Sequence, residues 1–276
     1  MEAESSTCPL CGESRESRQY GNGLQRCRSC RIVFNARHAP LSYDESYFTD
    51  EYRAQYGRTY EEDRESIAAL SKARLSRILG IMGGRIKPCD ISLLDIGSAL
   101  GFFLKQAADT GIGGLQGVEI SPYAAQYCRK NFKIAVTNSS FDSAEFDRGF
   151  DVITAWYFIE HCADPLASLQ KIYRLLRPGG VFAFSSPSVF GPLFVFNRDE
   201  WVLGHPPDHR MDFSPRSARR VLKGLGYSRV SVRPGGIHPE RVLPRGSALF
   251  AGAYGALSRF LCFSDTIEAY ALKSRR

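Results

Sequence analysis

Tryptophan, methionine and histidine are scarce in this chain: two, three and five residues among 276. No apolar run approaches the roughly 20 residues that a helix needs to cross a bilayer, so no membrane span is expected. The opening residues, Met-Glu-Ala-Glu-Ser-Ser, have neither a basic start nor an apolar stretch. No secretory signal is therefore expected, and a cytoplasmic location follows by default. No block of five or six like charges occurs, which argues against an arm that grips nucleic acid. What remains is an ordinary globular composition, 43% hydrophobic and 24% charged, and a length that suits one α/β domain with a small appendage. The net charge of +7 is uneven: residues 1–197 hold 22 Lys/Arg against 22 Asp/Glu, and residues 198–276 hold 14 against 7. That bias favours anionic partners, with a solvated basic surface as the plainer reading.

The eight cysteines fall into two classes. Cys8, Cys11, Cys27 and Cys30 form two Cys-x-x-Cys pairs fifteen residues apart, the spacing of a zinc ribbon. Each pair suits a tight turn, and the glycine after Cys11 accepts the left-handed backbone such a turn needs. Four thiolates would close a tetrahedral Zn²⁺ site and leave no open position, so the expected role is structural. A segment of about forty residues with few aliphatics cannot build a core, and metal binding would supply its folding free energy. Two disulfides fit poorly with an intracellular chain. Cys89, Cys128, Cys162 and Cys262 sit among apolar neighbours and read as buried packing residues.

Residues 93–103 read Leu-Leu-Asp-Ile-Gly-Ser-Ala-Leu-Gly-Phe-Phe. An apolar strand ends at Asp95, a glycine turn follows, and Gly101 opens a helix. Such a turn brings backbone amides close to a ligand and aims a helix N-terminus at it. From here strands and helices alternate. Strands are expected at 91–96, 115–120, 133–136, 150–155 and 181–185, with helices at 100–110, 122–131 and 165–176 between them and a sharp turn at Arg177-Pro-Gly-Gly. A helix at 215–225, a strand at 227–233, a helix at 246–263 and a last strand at 265–272 follow. Repeated βα units imply a parallel, doubly wound sheet whose ligand lies at the carboxyl ends of the strands. Upstream, Tyr43, Tyr47, Tyr52, Tyr56 and Tyr60 are spaced by four or five residues, partly helical in pattern, and an amphipathic helix over 61–81 should bury Ile67, Leu70, Leu75, Ile78 and Leu79.

The Asp-x-Gly-x-x-x-Gly spacing of Asp95, Gly97 and Gly101 resembles the first motif of class I S-adenosylmethionine-dependent methyltransferases. Glu119, in Gly-Val-Glu-Ile-Ser-Pro, and the stretch from Phe150 through Glu160-His161 to Asp164-Pro165 resemble later motifs, as do Arg177-Pro-Gly-Gly and the strand after it. The resemblance covers residues 91–190 closely. The ribbon and tyrosine-rich connector resemble a branch often linked to sugar, glycan and secondary-metabolite methylation. It implies a Rossmann-like seven-stranded sheet with an antiparallel last strand beside its predecessor, after a zinc ribbon (1–40) and a helical connector (41–90); the methyltransferase domain is 91–276. It also implies S-adenosylmethionine as cofactor. Asp95 suits the ammonium, amides from Gly97 through Ser98 to Gly101 the methionine and ribose, and Glu119 the ribose diol. Phe102, Ile120, Asn138, Trp156 and Tyr157 complete the pocket, and Tyr47, Tyr56 and Tyr60 are lid candidates. Ser98 and Leu100 stand where the family often has cysteine and a small residue.

Methyl transfer is an in-line displacement, and an acceptor hydroxyl or carbon needs a base near neutral pH. His161, His205 and His209 are the candidates, His209 ranked slightly above His161, with Arg210 beside it for an anionic acceptor group. His205 and His209 have the spacing of a helical metal pair, but Pro206 and Pro207 argue against a helix. Residues 188–213 read as a long substrate-lid loop. The expected substrate is a small molecule or glycan-type acceptor. An RNA methyltransferase and a non-catalytic zinc-ribbon interaction protein are the alternatives; no basic-aromatic interleaved patch supports the first, and the intact Asp95, Gly97, Gly101 and Glu119 argue against the second.

Overall fold

A computed structural model describes residues 7–14, 17–39, 44–236 and 248–275. In chain order, β1 (Arg18–Gly21), β2 (Leu24–Arg26) and β3 (Val33–Asn35) precede a wide helical turn at Tyr47–Glu51, α1 (Tyr52–Tyr56) and α2 (Arg64–Met82). Then come β4 (Ser92–Ile96), α3 (Phe102–Asp109), β5 (Gly114–Glu119), α4 (Pro122–Phe132), β6 (Ala135–Asn138), β7 (Phe150–Trp156) and α5 (Pro165–Leu175). The chain continues through β8 (Leu176–Phe190), α6 (Pro192–Phe196), α7 (Arg198–Leu203), β9 (Met211–Asp212) and α8 (Pro215–Gly224), and closes with β10 (Tyr227–Pro234), α9 (Ala248–Leu261) and β11 (Ser264–Lys273).

The main sheet has seven strands in the order β10-β11-β8-β7-β4-β5-β6. β4 pairs in parallel with both β5 and β7, and β5 with β6. β4 is therefore the strand at which the order reverses, and every residue of it is buried, as expected for a parallel strand covered on both faces. The last strand lies between β10 and β8, and the final strands run antiparallel, as the resemblance implies. Local chemistry explains the helix starts: the Ser121 hydroxyl accepts the Ala124 N–H ahead of Pro122, and Ser214 and Ser217 form a reciprocal capping box ahead of Pro215.

Contacts divide the chain into two compact units. One comprises Leu41–Trp156, Lys171–Ala183 and Leu272–Arg276, the other Met1–Pro40, Tyr157–Gln170 and Phe184–Ala271. The first holds β4–β7 with α1–α4. Its Phe48, Leu100, Phe102 and Ala124 form a buried cluster against which Tyr47, Tyr60 and Ile67 pack. In the second unit the ribbon strands make a four-stranded sheet, β1-β2-β3-β9, with Val33 opposite Asp212 and Phe34 opposite Met211. Leu24 and Val33 share a core with Val189, Phe194 and Val202.

Several expectations need correction. Residues 188–213 are not a long loop: they carry the end of β8, then α6, α7 and β9. The turn expected at Arg177-Pro-Gly-Gly lies inside the 15-residue β8, where Gly179 takes φ +80°. The short strand expected at 133–136 begins two residues later, because Lys133 ends α4 in the left-handed conformation. In α2 the buried face comprises Ser71, Arg74, Leu75, Ile78 and Met82, and Leu70 is exposed. Cys89 is exposed, unlike Cys128, Cys162 and Cys262. Gly246, in the helix expected at 246–263, and Tyr43 lie outside the described residues.

Candidate functional site

The glycine turn after β4 is drawn tight by its own backbone. Gly97 and Ser98 both donate N–H bonds to the Val118 carbonyl, and Gly101 donates to Ser98. Gly97, Ala99 and Gly101 all have positive φ, at +68°, +48° and +86°. At Gly101 no other residue fits: a Cβ there would stand 2.2 Å from Cys128 Sγ. Ala99 is held in a conformation costing about 1–2 kcal/mol because its N–H donates to Glu119 Oε2 at 2.8 Å. The other oxygen, Oε1, accepts the Ser121 N–H, also at 2.8 Å. Glu119 thus ties the turn to the start of α4 and keeps acceptor lone pairs to spare.

Asp95, at the end of β4, is 2% exposed. Thr154 of β7 donates its hydroxyl to Asp95 Oδ1 at 2.6 Å. Burial pushes the Asp95 carboxyl up to about 8, and the Thr154 hydrogen bond and the charge of Arg74 only partly offset it. Burial raises Glu119 as well, against the Ser121 and Ala99 amides. A cation bound beside these two carboxyls, at the ends of neighbouring strands, would favour the ionised form of each.

Around them the same unit places aromatic and cationic groups. Tyr60 stacks on Phe102 with centroids 5.6 Å apart, and its phenol is driven above the ordinary range by burial and by Tyr47, Asp95 and Glu119. The Trp156 ring packs on Phe103 at 5.4 Å and carries the Arg74 guanidinium 4.0 Å from its centroid. Trp156 Nε1 is buried with no hydrogen-bond partner among the described residues. Arg74 was not anticipated from sequence. Its only signal is an arginine on the face of α2 that shares the burial of Leu75 and Ile78.

The structure thus brings together Asp95, Gly97, Gly101, Phe102, Glu119, Trp156 and Tyr47. The Ser98 hydroxyl lies 2.7 Å from where a Gly117 Cβ would stand. Asn138 donates to the carbonyls of Glu119 and Ile120 and so braces the β5–α4 junction, and Ile120 is 55% exposed. The Tyr56 side chain lies outside the described residues.

The second unit holds Tyr157, the histidines and the four cysteines. Tyr157 has φ +52° and donates its N–H to the Ser185 carbonyl and hydroxyl. His161 Nδ1 meets Asp208 Oδ2 at 2.8 Å. Arg210 does not reach outward: its guanidinium donates to the Asn35 carbonyl at 2.8 Å and its N–H to the Glu160 carbonyl. Glu160 is buried, and desolvation lifts its carboxyl to about 7. Residues 205–210 form turns rather than a helix.

Cys8, Cys11, Cys27 and Cys30 present sulfurs within 4.8 Å of one another. The Cys8–Cys30 and Cys11–Cys27 sulfur pairs are 3.6 Å apart, close to the edge of a tetrahedron with bonds of about 2.3 Å. The residue after each second cysteine, Gly12 and Arg31, takes positive φ, at +69° and +70°. The two turns are thus alike although only one carries glycine. The donor set fits a structural zinc ion.

Residues 60–232 match a family described as methyltransferase domain. A ubiquinone biosynthesis O-methyltransferase of Cereibacter sphaeroides is 31% identical over 160 residues, which cover 54% of this chain and 61% of that protein. The chain therefore spans about three-fifths of that relative. Among solved structures, an S-adenosylmethionine-dependent methyltransferase of Archaeoglobus fulgidus superposes with a TM-score of 0.56 at 19% identity, covering 81% of this chain and 98% of the other. The plantazolicin methyltransferase BpumL, solved with S-adenosylhomocysteine, gives 0.56 at 15% identity, covering 84% and 93%. The chain belongs to the methyltransferase-domain family and has the fold of the class I S-adenosylmethionine-dependent enzymes.

Proposed function

We propose that the protein transfers the methyl group of S-adenosylmethionine to an oxygen of a small-molecule or glycan-type acceptor. The observation that carries this reading is the pair of buried carboxylates, Asp95 and Glu119, at the ends of β4 and β5 around a turn with three left-handed residues. In this reading Asp95 holds the cofactor's ammonium, Glu119 the ribose diol and Arg74 the carboxylate. The amides of the turn, Phe102, Trp156, Tyr60 and Tyr47 line the remainder, and Ile120 and Asn138 border the adenine. The cofactor, when bound, supplies an electrophilic methyl on a sulfonium. The chain supplies alignment, exclusion of water and a proton acceptor.

Of the candidate bases, His161, His205 and His209, we assign that role to His161. Asp208 holds its Nδ1 at 2.8 Å, which fixes the ring and leaves Nε2 to take the acceptor's proton, the division of labour of an Asp–His pair. Tyr157 we place on the acceptor side, and Cys8, Cys11, Cys27 and Cys30 on a structural Zn²⁺. The relatives named O-methyltransferases support a hydroxyl acceptor over carbon.

Calorimetric titration of zinc-loaded protein with S-adenosylmethionine and with S-adenosylhomocysteine tests the pocket; labelled cofactor with fractionated cell extract tests transfer. Heat of binding with both ligands and label in a small-molecule fraction are expected. Well-folded protein that binds neither ligand would overturn the assignment, and label confined to RNA would overturn the acceptor class.

A further inference from the structure

The chain has five histidines, and four of them, His38, His161, His205 and His209, lie in one neighbourhood of the second unit. His161 and His209 rings are 4.8 Å apart and His205 and His209 rings 5.5 Å. His38 lies within electrostatic range of His161 and Asp208. Methyl transfer needs at most one proton acceptor, so this concentration of imidazole asks for a second explanation.

His209 Nδ1 and Asp212 Oδ1 face each other at 3.7 Å. Both atoms are shut off from solvent and neither has a hydrogen-bond partner among the described residues. The gap is too long for a hydrogen bond. It is close to the separation of about 3.0–3.5 Å between two ligands sharing one metal ion through bonds of about 2.0–2.2 Å. The other Asp212 oxygen is 2.7 Å from His205 Nε2. One donor atom from each of His205, His209 and Asp212 lies within 4.8 Å of the others. Two imidazoles and one carboxylate, all nitrogen and oxygen donors, form a set suited to divalent iron, manganese, cobalt or zinc.

The three side chains are held from outside the cluster. Asp212 sits in β9, fixed by its pairing with Val33 of β3. The His205 ring packs on Trp201 at 4.9 Å. His209 ends a turn in which its N–H bonds the Pro206 carbonyl. Pro206 and Pro207 prevent the helical i,i+4 presentation of the two histidines; a turn brings them together instead.

We propose that His205, His209 and Asp212 bind a divalent transition-metal ion at a centre separate from the four cysteines. Binding displaces the proton shared by His205 Nε2 and Asp212 Oδ2, because a nitrogen lone pair must face the ion. That proton passes to solvent, and no oxidation or reduction is involved.

The test is a titration of the zinc-loaded full chain with Co²⁺. The expected result is about one cobalt ion per chain beyond the zinc, with ligand-field absorption of nitrogen–oxygen coordination and no sulfur-to-metal charge-transfer band. Proton release should accompany binding, read from the dependence of the heat on buffer. X-ray absorption of the cobalt site should show two imidazoles and no sulfur. His209→Gln should weaken cobalt binding at least about 100-fold, and His38→Gln, a histidine outside the triad, should leave it unchanged. Folded wild-type protein that takes up no further cobalt overturns the proposal. So does a sulfur-ligated spectrum, or cobalt bound equally by folded His209→Gln. If that variant does not fold, the absorption spectrum of the wild type decides alone.

Discussion

Asp95 and Asp212 are both carboxylates at strand positions, 2% and 1% exposed, yet their charges are set oppositely. Burial raises both. At Asp95 the offset comes from the Thr154 hydroxyl and the charge of Arg74, and the carboxyl still rises to about 8. At Asp212 two imidazoles, His205 and His209, outweigh burial and hold the carboxyl well below its ordinary range. Depth alone therefore does not decide the direction of the shift; the hydrogen-bond partners of each carboxyl do. Asp95 has one hydroxyl donor, from Thr154, and Asp212 faces two imidazole rings.

The contrast can be broken most directly by removing each charge. Asp212→Asn removes the buried carboxylate that His205 Nε2 meets at 2.7 Å and should destabilise the protein by about 1–3 kcal/mol, read as a lowered denaturation midpoint. Asp95→Asn replaces a carboxyl that is neutral at pH 7 in the free protein, so the same measurement should show no loss. It should instead weaken S-adenosylmethionine binding by about 10- to 100-fold, the worth of one charge-assisted hydrogen bond. Equal stability losses in the two variants would erase the distinction.

A finer test uses pH. A carboxyl raised to about 8 is protonated below that pH and must ionise to hold an ammonium. Cofactor affinity should therefore fall as pH drops from about 8 toward 6, with a proton released on binding in that window. In the free protein the sign is reversed. The folded state holds a proton that the unfolded chain gives up at its ordinary value of 3.8. Asp95 accordingly contributes stability that diminishes as pH rises from about 4 to 8. The smallest expected effect is that of Thr154→Val. It removes the hydroxyl that favours the charged form, so the pH midpoint of cofactor binding should move upward, by about one pH unit or less for one hydrogen bond.

Periodicity and punctuation carried most of the fold. The apolar runs of β4 and β7 and the Ser-Pro starts of α4 and α8 are short-range signals, and each element lies within a few residues of its expected place. Asp95 and Glu119 were legible because an acidic residue ending an apolar strand is unusual and two in succession more so. Arg74 was not, since a search for apolar stripes puts a guanidinium on the wet side of a helix and cannot see the Trp156 ring that it covers. Arg31 was missed for a related reason: left-handed backbone is sought at glycine. The two-residue β9 has no pattern of its own and exists because β3 offers an edge. The same holds for α6 and α7, where Pro192 and the aromatic run read as loop until packed.

The pairing of β3 with β9 joins residues 33–34 to residues 211–212. A ribosome adding roughly 5–20 residues per second delivers the second partner about 10–40 seconds after the first. During that interval the edge of β3 stands without its partner strand. Refolding from denaturant meets the same delay as the entropy of closing a long loop. A fragment ending before Met211 leaves the edge of β3 unfilled, a ready template for a neighbouring chain.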